Sequence, residues 1–269
     1  MTTTPDSVHP VRRPVSESDS RTANRQDWDA YADEYQTTHG DFLGDVGFLW
    51  GPEGHQEAEL AVLGEVTGKR ALELGSGAGQ CARWLRSQGA EAFGLDLSER
   101  QLQHSRRIDD ASGIVVPSVC ATATALPFAS SAFDLVFSSF GALQFVADGE
   151  VMVGEVARVL RPGGTFAFSV THPVRWSMPD DAGPEGLKVV SSYWDRTPYV
   201  EEDDDGTPRY VEHHRTIGDW VGLLHGAGFA LRALHEPQWP EGHDRVWGGW
   251  GPLRGRLVPG TAIFVADLR

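Results

Sequence analysis

The sequence predicts an α/β fold with a doubly wound, mostly parallel sheet. Short apolar strands alternate with helical patterns between about residues 70 and 171. These strands are apolar at almost every position, which is typical of parallel strands covered by helices on both faces. Hydrophobic residues make up 40% of the 269 residues, so the chain can build a complete core.

The strands can be taken in order along the chain. The first is predicted at Arg70–Leu74 and runs directly into a glycine-rich loop. Four more are predicted at 92–95, 113–119, 133–137 and 165–171, and two closing strands at 229–234 and 262–268. Helical patterns follow the first, second and fourth strands, and the helix at 150–160 ends at a Pro-Gly-Gly turn that stops helices. The expected sheet therefore has seven strands.

The remaining segments divide the chain further. Residues 1–27 are rich in Ser, Thr and Pro and nearly free of large apolar residues, which predicts a disordered tail. Residues 28–66 should hold two helices, at 28–37 and 52–66, before a core at 67–173. Residues 174–214 break the alternation and are interpreted as an insertion with a hairpin turning at Asp205-Gly206. A helix capped by Thr216 and the closing strands occupy 215–269.

Composition excludes several classes of function. The net charge of −15 disfavours nonspecific binding to nucleic acids, because phosphate backbones are also negative. Two cysteines are too few for a disulfide framework or a cysteine zinc site. No apolar run has the length of a membrane span, and no secretory signal is visible at the N-terminus. We expect a cytoplasmic protein without a membrane partner, as a monomer or a homodimer.

The glycine-rich loop Gly75-Ser76-Gly77-Ala78-Gly79 lies between a predicted strand and a helix. Glycines allow a tight turn and a close approach of ligand to backbone, and the helix end offers free N–H groups. Asp96 ends the next strand, where a carboxylate can accept both hydroxyls of a ribose. Gln80 stands where the dinucleotide fingerprint requires a small residue, so the pattern departs from that of NAD-binding proteins.

Five motifs occur in one order along the chain: Glu73-Leu74-Gly75-Ser76-Gly77-Ala78-Gly79, Asp96-Leu97-Ser98, Ala123 to Phe128, Phe133 to Val136, and Leu160 to Gly164. This order closely resembles the class I S-adenosylmethionine-dependent methyltransferases, of the small-molecule type. The resemblance implies a Rossmann-like sheet of seven strands, mostly parallel with a C-terminal antiparallel strand. It also implies an insertion that covers the substrate.

The resemblance also implies which residues hold the cofactor. They are Tyr35, Glu73, Gly75, Ser76, Gly77, Gly79, Asp96, Leu97, Gln101, Thr122, Ala123 and Phe140. Glu73 would reach the amino group of the methionine part, Asp96 would bind the ribose, and Leu97 and Gln101 would border the adenine. Thr122 stands where the family usually has Asp, so any hydrogen bond to the adenine amino group would lack charge assistance. Gln144 stands where the family often has His, so no histidine role can be carried over.

Aromatic residues and one histidine suggest an acceptor pocket. Trp176, Trp194, Trp239 and Trp247, with Trp250, lie outside the predicted strands and would form the walls of an aromatic-lined pocket or, alternatively, an interface patch.

His172 ends the fifth strand, so it could accept a proton from the acceptor or only shape the pocket. His213 and His214 are adjacent on a strand and point to opposite faces, so we expect no metal site there.

The sequence thus predicts an enzyme that moves a methyl group from S-adenosyl-L-methionine to an oxygen, or else a nitrogen, of a small-molecule metabolite. The product would be S-adenosyl-L-homocysteine, and no metal is expected. The fourth strand ends in Ser138-Ser139-Phe140-Gly141, which lacks the motif of methyltransferases that act on nucleobase amines. Two alternatives remain: a non-catalytic S-adenosylmethionine-binding protein, and an NAD(P)-dependent oxidoreductase, which Gln80 disfavours.

Overall fold

The computed structural model describes residues 9–269, which form a mixture of strands and helices. The strands are β1 (His9–Arg12), β2 (Arg70–Leu74), β3 (Glu91–Asp96), β4 (Ser118–Cys120), β5 (Phe133–Ser139), β6 (Leu160–Thr171), β7 (Tyr199–Glu202), β8 (Pro208–Glu212), β9 (Phe229–His235) and β10 (Thr261–Leu268). The helices are α1 (Glu17–Leu43), α2 (Glu57–Leu60), α3 (Gln80–Ser87), α4 (Glu99–Ser112), α5 (Gly149–Val159), α6 (Ile217–Gly226) and α7 (Pro252–Gly255).

The main sheet has seven strands in the order β4-β3-β2-β5-β6-β10-β9. The first five are parallel, and β10 is antiparallel to both of its neighbours. This confirms the predicted sheet and its antiparallel C-terminal strand. The strand order reverses between β2 and β5, and in open α/β sheets ligands bind in the crevice beyond the carboxyl ends of the strands at such a point. The glycine-rich loop after β2 therefore opens into that crevice.

Both faces of the main sheet are covered, as the apolar strands predict. On one face, Val153 of α5 and Trp220 of α6 pack in a cluster with Leu72 and Phe168 of the strands. On the other face, a second cluster joins the segment around Trp50 and helix α3 to alternate strand residues. No helix within residues 9–269 combines the length and the apolar character needed to cross a bilayer.

A second, three-stranded antiparallel sheet has the order β1-β7-β8. The predicted hairpin of the insertion is its β7–β8 pair, which turns between Asp203 and Thr207. Val200 and Val211 of the hairpin are buried against Ala23 of α1. The insertion is thereby attached to the N-terminal helix.

The predicted disorder of residues 1–27 is wrong for residues 9–27. Strand β1 pairs with β7, and Ser16 caps α1 by accepting a hydrogen bond from the N–H of Asp19 at 3.1 Å. The side chains that this part of α1 buries are small or polar, Ser20, Ala23 and Asn24, so they leave no apolar periodicity in the sequence. Residues 1–8 of the predicted tail lie outside the described residues.

The predicted helix at 52–66 is also largely wrong, because only Glu57–Leu60 is helical. The chain leaves the helix at Ala61, whose φ of 49° is left-handed. The buried carboxylate of Glu57 then accepts hydrogen bonds from the N–H groups of Val62, at 3.1 Å, and Leu63, at 2.7 Å. These hydrogen bonds replace the backbone hydrogen bonds that a longer helix would make. The spacing of apolar residues in the sequence does not reveal them.

Candidate functional site

A cavity of about 360 Å³ opens at the carboxyl ends of β2, β3 and β5. Its walls come from the glycine-rich loop, α1, residues 139–147, the insertion and residues 247–250. Eleven of the twelve predicted cofactor residues line it: Tyr35, Glu73, Gly75, Ser76, Gly77, Asp96, Leu97, Gln101, Thr122, Ala123 and Phe140. The exception is Gly79, which does not line the cavity.

The glycine-rich loop requires its glycines for two reasons. Gly75, Gly77 and Gly79 have φ values of 65°, 51° and 78°, in the left-handed region that other residues rarely adopt. A Cβ on Gly75 would also lie 2.5 Å from the Cβ of Ala142, and one on Gly79 would lie 2.7 Å from the Oγ of Ser105. The loop therefore exposes bare backbone to the cavity on one side while packing closely on the other.

Asp96 joins the end of β3 to this loop. Its Oδ2 accepts a hydrogen bond from the N–H of Gly77 at 2.7 Å, and its Oδ1 accepts one from the N–H of Ser98 at 2.8 Å. Burial raises the pKa of Asp96, and these hydrogen bonds oppose that rise. Each oxygen can still accept one further hydrogen bond, so the carboxylate can hold two neighbouring hydroxyls.

Glu73 lies on β2 with only 3% of its surface exposed. Its Oε2 accepts a hydrogen bond from the N–H of Ala82 at 2.9 Å. Burial raises the pKa of Glu73 to about 8. A positively charged group bound in the cavity would favour the ionised carboxylate, so this residue suits an ammonium ligand.

A buried ion pair supports the loop from behind. The Nη2 of Arg83 lies 2.7 Å from the Oδ1 of Asp109, and the two side chains are 0% and 8% exposed. The same nitrogen donates to the backbone oxygen of Ala78 at 3.1 Å. The sequence alone does not predict this pair, because Arg83 and Asp109 belong to different helices and neither lies in a motif.

Polar contacts between side chains form the part of the cavity that is predicted to hold the adenine. The Oγ1 atoms of Thr122 and Thr124 lie 2.9 Å apart, and the N–H of Thr124 donates to Thr122 at 3.3 Å. Gln36 donates to the Oε1 of Gln101 at 3.0 Å. The hydroxyl of Thr122 is thus partly engaged within the protein.

The side predicted for the methionine part is bordered by Phe140 and Tyr35. Phe140 has a φ of 60° and donates its N–H to the Oγ of Ser169 at 2.9 Å. Tyr35 packs edge-on against Trp28, with ring centroids 5.5 Å apart. Burial raises the pKa of Tyr35, so its hydroxyl stays protonated. Ser76 lies between these sides with 4% exposure, and its Oγ has no hydrogen-bond partner within residues 9–269.

The structure places the predicted acceptor tryptophans in different surroundings. Trp247 and Trp250 line the cavity, whereas Trp176, Trp194 and Trp239 do not. Trp194 is 68% exposed, and Trp239 is buried and donates to the backbone oxygen of His243 at 2.7 Å. Trp176 is buried beneath the guanidinium of Arg175, 4.7 Å from its ring. The aromatic wall therefore comes from residues 247–250 and not from the insertion tryptophans.

His172 also lies off the cavity. Its Nδ1 accepts a hydrogen bond from the N–H of Val174 at 3.2 Å, and its Nε2 lies 2.9 Å from the Oε1 of Glu236. Burial lowers the pKa of His172. Both ring nitrogens are engaged in the turn after β6, so the prediction that His172 accepts a proton from the acceptor does not fit this geometry.

The cavity residues that were not predicted from the sequence include a polar group from the insertion: Arg175, Asp180, Tyr210 and Glu212. Tyr210 and Glu212 alternate on β8, so their side chains share one face of the hairpin. The alternation of Tyr210 and Glu212 is the feature of the sequence that indicates their shared face.

No metal-binding group of three or more His, Cys, Asp or Glu side chains occurs in the described part of the chain. The Nε2 of His213 lies 2.9 Å from the Oγ of Ser20, and that of His214 lies 2.8 Å from the backbone oxygen of Tyr193. The two rings face different partners, as their adjacency on one extended segment predicts.

These residues fit a cationic nucleoside. The bare glycine backbone of the loop can approach a ligand closely. Asp96 can accept from a pair of ribose hydroxyls, and Glu73 can receive an ammonium group. Gln80, which departs from the dinucleotide fingerprint, lines the same cavity. Its side-chain amide donates to the Oε1 of Gln36 at 3.5 Å.

Comparison with known proteins agrees with this site. The family described as "Methyltransferase domain" matches residues 72–168. A demethylmenaquinone methyltransferase of Thermus thermophilus is 45% identical over 98 residues, which are 36% of this chain and 44% of that protein. For that protein and several other curated relatives, the chain spans only about half of the relative's length or less.

Two similarities extend further. A demethylmenaquinone methyltransferase of Parafrankia sp. is 30% identical over 245 residues, covering 81% of this chain and 94% of that protein. A crystal structure of an S-adenosylmethionine-dependent methyltransferase from Mesorhizobium loti superposes with a TM-score of 0.58 at 28% identity, covering 81% of this chain and 100% of that one. The fold, the glycine-rich loop with its two acids and these similarities agree: the chain belongs to the S-adenosylmethionine-dependent methyltransferases.

Proposed function

We propose that this protein transfers the methyl group of S-adenosylmethionine to an oxygen, or else a nitrogen, of a small-molecule acceptor. One observation carries the proposal: a single cavity joins the glycine-rich loop and Asp96 to a polar pocket in the insertion. Cofactor and acceptor can therefore lie side by side in one enclosed space. The S-adenosylmethionine-binding role rests on the family, and the acceptor class rests on the shape and lining of this cavity.

The bound cofactor supplies a methyl group on a positively charged sulfur, which is a strong electrophile. The protein's own contribution is to hold and orient. The backbone of Gly75 and Gly77 would follow the methionine part, Glu73 would face its amino group, and Asp96 would fix the ribose. Holding two reactants in line replaces an encounter in solution by a reaction within one complex.

The protein also restricts water at the site. Trp28 of α1 packs on Phe145, with ring centroids 5.6 Å apart, and Phe145 packs on Tyr210 of β8 at 5.5 Å. At the other edge, Trp247 stacks on His39 at 4.1 Å. These contacts join α1 to the insertion and to residues 247–250 across the cavity, and a less hydrated site strengthens interactions with charged groups.

A small acceptor agrees with this enclosure and with the net charge of −15. The Parafrankia relative is named as a demethylmenaquinone methyltransferase, and thus for a small molecule. A nucleic acid would have to bring its negative backbone to an acidic surface.

The test is a methyl-transfer assay with radiolabelled S-adenosylmethionine and a panel of phenols, hydroxy acids and amines. We expect release of S-adenosylhomocysteine that depends on an acceptor and is lost in Asp96→Ala. Binding of S-adenosylmethionine without acceptor-dependent turnover across the panel would instead favour a non-catalytic binding protein.

A further inference from the structure

The polar end of the cavity contains an arginine whose guanidinium donates no hydrogen bond within residues 9–269. The side chain of Arg175 is 16% exposed and lies over the ring of Trp176 at 4.7 Å. Within residues 9–269 its one ion pair is with Asp180, at 3.4 Å, and its guanidinium donates no hydrogen bond. A guanidinium has five N–H donors, and burying them unused is costly. Arg175 is among the residues that line the cavity, so a ligand bound there can meet its side chain.

Hydrogen-bond acceptors lie at the same end of the cavity. Tyr210 donates its hydroxyl to the Oε1 of Glu212, and no residue within 9–269 donates to the Oε2. Glu212 attracts Arg175 electrostatically, and burial raises the pKa of Glu212 while Arg175 opposes the rise. The carboxylate is thus held in place by Tyr210 and has one oxygen available.

The pairing register of the β7–β8 hairpin determines which of its side chains share one face. Tyr199 pairs with Glu212 across the strands, and Glu201 pairs with Tyr210. Tyr199 donates to Glu201 at 2.8 Å, so the second tyrosine also engages a glutamate. Val211, between Tyr210 and Glu212, points to the opposite face and is buried in the hairpin core. A shift of one residue would turn Tyr210 and Glu212 away from the cavity.

Two further side chains lining the cavity have unused polar atoms. The Oε1 of Gln144 and the Nε1 of Trp250 are buried and have no hydrogen-bond partner within residues 9–269, and the two residues are 8% and 4% exposed. Gln144 donates its amide to the backbone oxygen of Phe140 at 3.1 Å, which leaves its own oxygen to accept. Buried polar atoms without partners are rare in proteins, so these two atoms add to the polar character of this end of the cavity.

We propose that Arg175 and Glu212 form the acceptor subsite, and that it takes an aromatic hydroxy-carboxylate or hydroxy-ketone. The charged or carbonyl oxygen of the acceptor receives hydrogen bonds from Arg175, and the neighbouring hydroxyl donates to Glu212. The rings of Trp28, Phe145 and Tyr210 line the same cavity and provide a surface for an aromatic ring. This inference rests on the proposed function, because it assumes that the acceptor occupies this cavity beside the cofactor.

The test uses protein saturated with S-adenosylhomocysteine, titrated by calorimetry with salicylate, phenol and benzylamine. These probes share one aromatic ring and differ in the group that would meet Arg175. We expect salicylate to bind about tenfold more tightly than phenol or better, since charge-assisted hydrogen bonds are roughly twice as strong as neutral ones. Benzylamine should bind more weakly than salicylate.

Variants then test whether the difference in affinity between salicylate and phenol depends on Arg175. In Arg175→Met, salicylate should bind no better than phenol, while the affinity for S-adenosylhomocysteine stays within about twofold. Glu212→Gln should weaken salicylate and phenol together, because both present a hydroxyl. Arg232→Met removes an arginine of β9 that is 49% exposed and lies off the cavity, so it controls for the change in net charge. If Arg175→Met does not fold, Arg175→Lys removes the planar pair of donors and keeps the charge.

Equal binding of salicylate and phenol, preference for benzylamine, or no binding of any probe to the protein saturated with S-adenosylhomocysteine would overturn this inference. The proposed function would survive those results. Failure to bind S-adenosylhomocysteine would instead contradict the proposed function itself.

Discussion

The carboxylate of Asp96 and the backbone N–H of Gly77 are joined by a hydrogen bond of 2.7 Å. The acid that would hold the ribose therefore also fixes the loop that would hold the methionine part. The second oxygen of Asp96 accepts from the N–H of Ser98 at 2.8 Å, at the start of α4. One side chain thus sets the spacing between the two parts of the cofactor site.

The loop itself provides the first prediction. Gly75→Ala should weaken binding of S-adenosylmethionine by more than about tenfold, because its Cβ would meet Ala142 at 2.5 Å in a backbone of φ 65°. Calorimetry measures the affinity. Gly154→Ala, on α5 with nothing within 4 Å of the added carbon, is the matched control and should bind normally. Equal affinities in the two variants would show that the loop does not approach the ligand closely.

Glu73 predicts a pH dependence of binding. Its pKa is raised to about 8, so below that pH a proton must leave before the carboxylate can bind an ammonium group. Affinity should therefore rise with pH up to about 8, by at most about tenfold per unit, and then level off. Cys81 and Asp96 also face Glu73, and burial raises the pKa of Cys81 well above the usual thiol value.

Comparing the wild-type protein with Glu73→Gln separates the titration of Glu73 from the titration of groups on the ligand. The variant should bind more weakly and lose the part of the pH dependence that the wild-type protein adds. Identical pH profiles for both proteins would rule out a contact between Glu73 and the amino group.

The ion pair behind the loop provides a prediction about stability. Arg83→Met leaves the carboxylate of Asp109 buried without its partner, and should lower the free energy of unfolding by about 3–5 kcal/mol. Urea denaturation measures the change. The double variant Arg83→Met with Asp109→Leu should recover part of the loss, because no uncompensated charge remains. A double variant as unstable as the sum of its parts would mean that the pair does not interact.

The contacts of His172 predict that this residue is not required for methyl transfer. His172→Gln should change kcat for whichever acceptor is identified by less than about threefold, whereas loss of a general base costs 10²-fold or more. Any effect should appear as a lower thermal midpoint, since Val174 and Glu236 lose a ring partner. A hundredfold fall in kcat with normal stability would restore the catalytic role.

Much of the fold was predictable because β2, β3, β5 and β6 are largely apolar, and helices follow β2, β3 and β5 along the chain. The glycine-rich loop and Asp96 could be placed together at the cavity because both follow neighbouring parallel strands at their carboxyl ends. In contrast, strand β1 depends on a partner nearly two hundred residues away, His9 facing Glu202, and a local pattern cannot show this.

The acceptor side was mostly not predictable for a related reason. Tryptophans were expected to form its walls, but Trp176 and Trp239 fill the interior around Arg175 and Gly255. Arg175 and Glu212 line one cavity only because the insertion folds back across it. Residue type predicted an aromatic pocket, whereas the tertiary path of the insertion decides which side chains reach it.

The most direct test of the central claim is calorimetric titration of the protein with S-adenosylmethionine and S-adenosylhomocysteine, with NADH as a control. The account predicts dissociation constants of about micromolar for the first two, no binding of NADH, and weakening by about tenfold or more in Asp96→Ala. Binding of NADH, or wild-type affinity in Asp96→Ala, would contradict it.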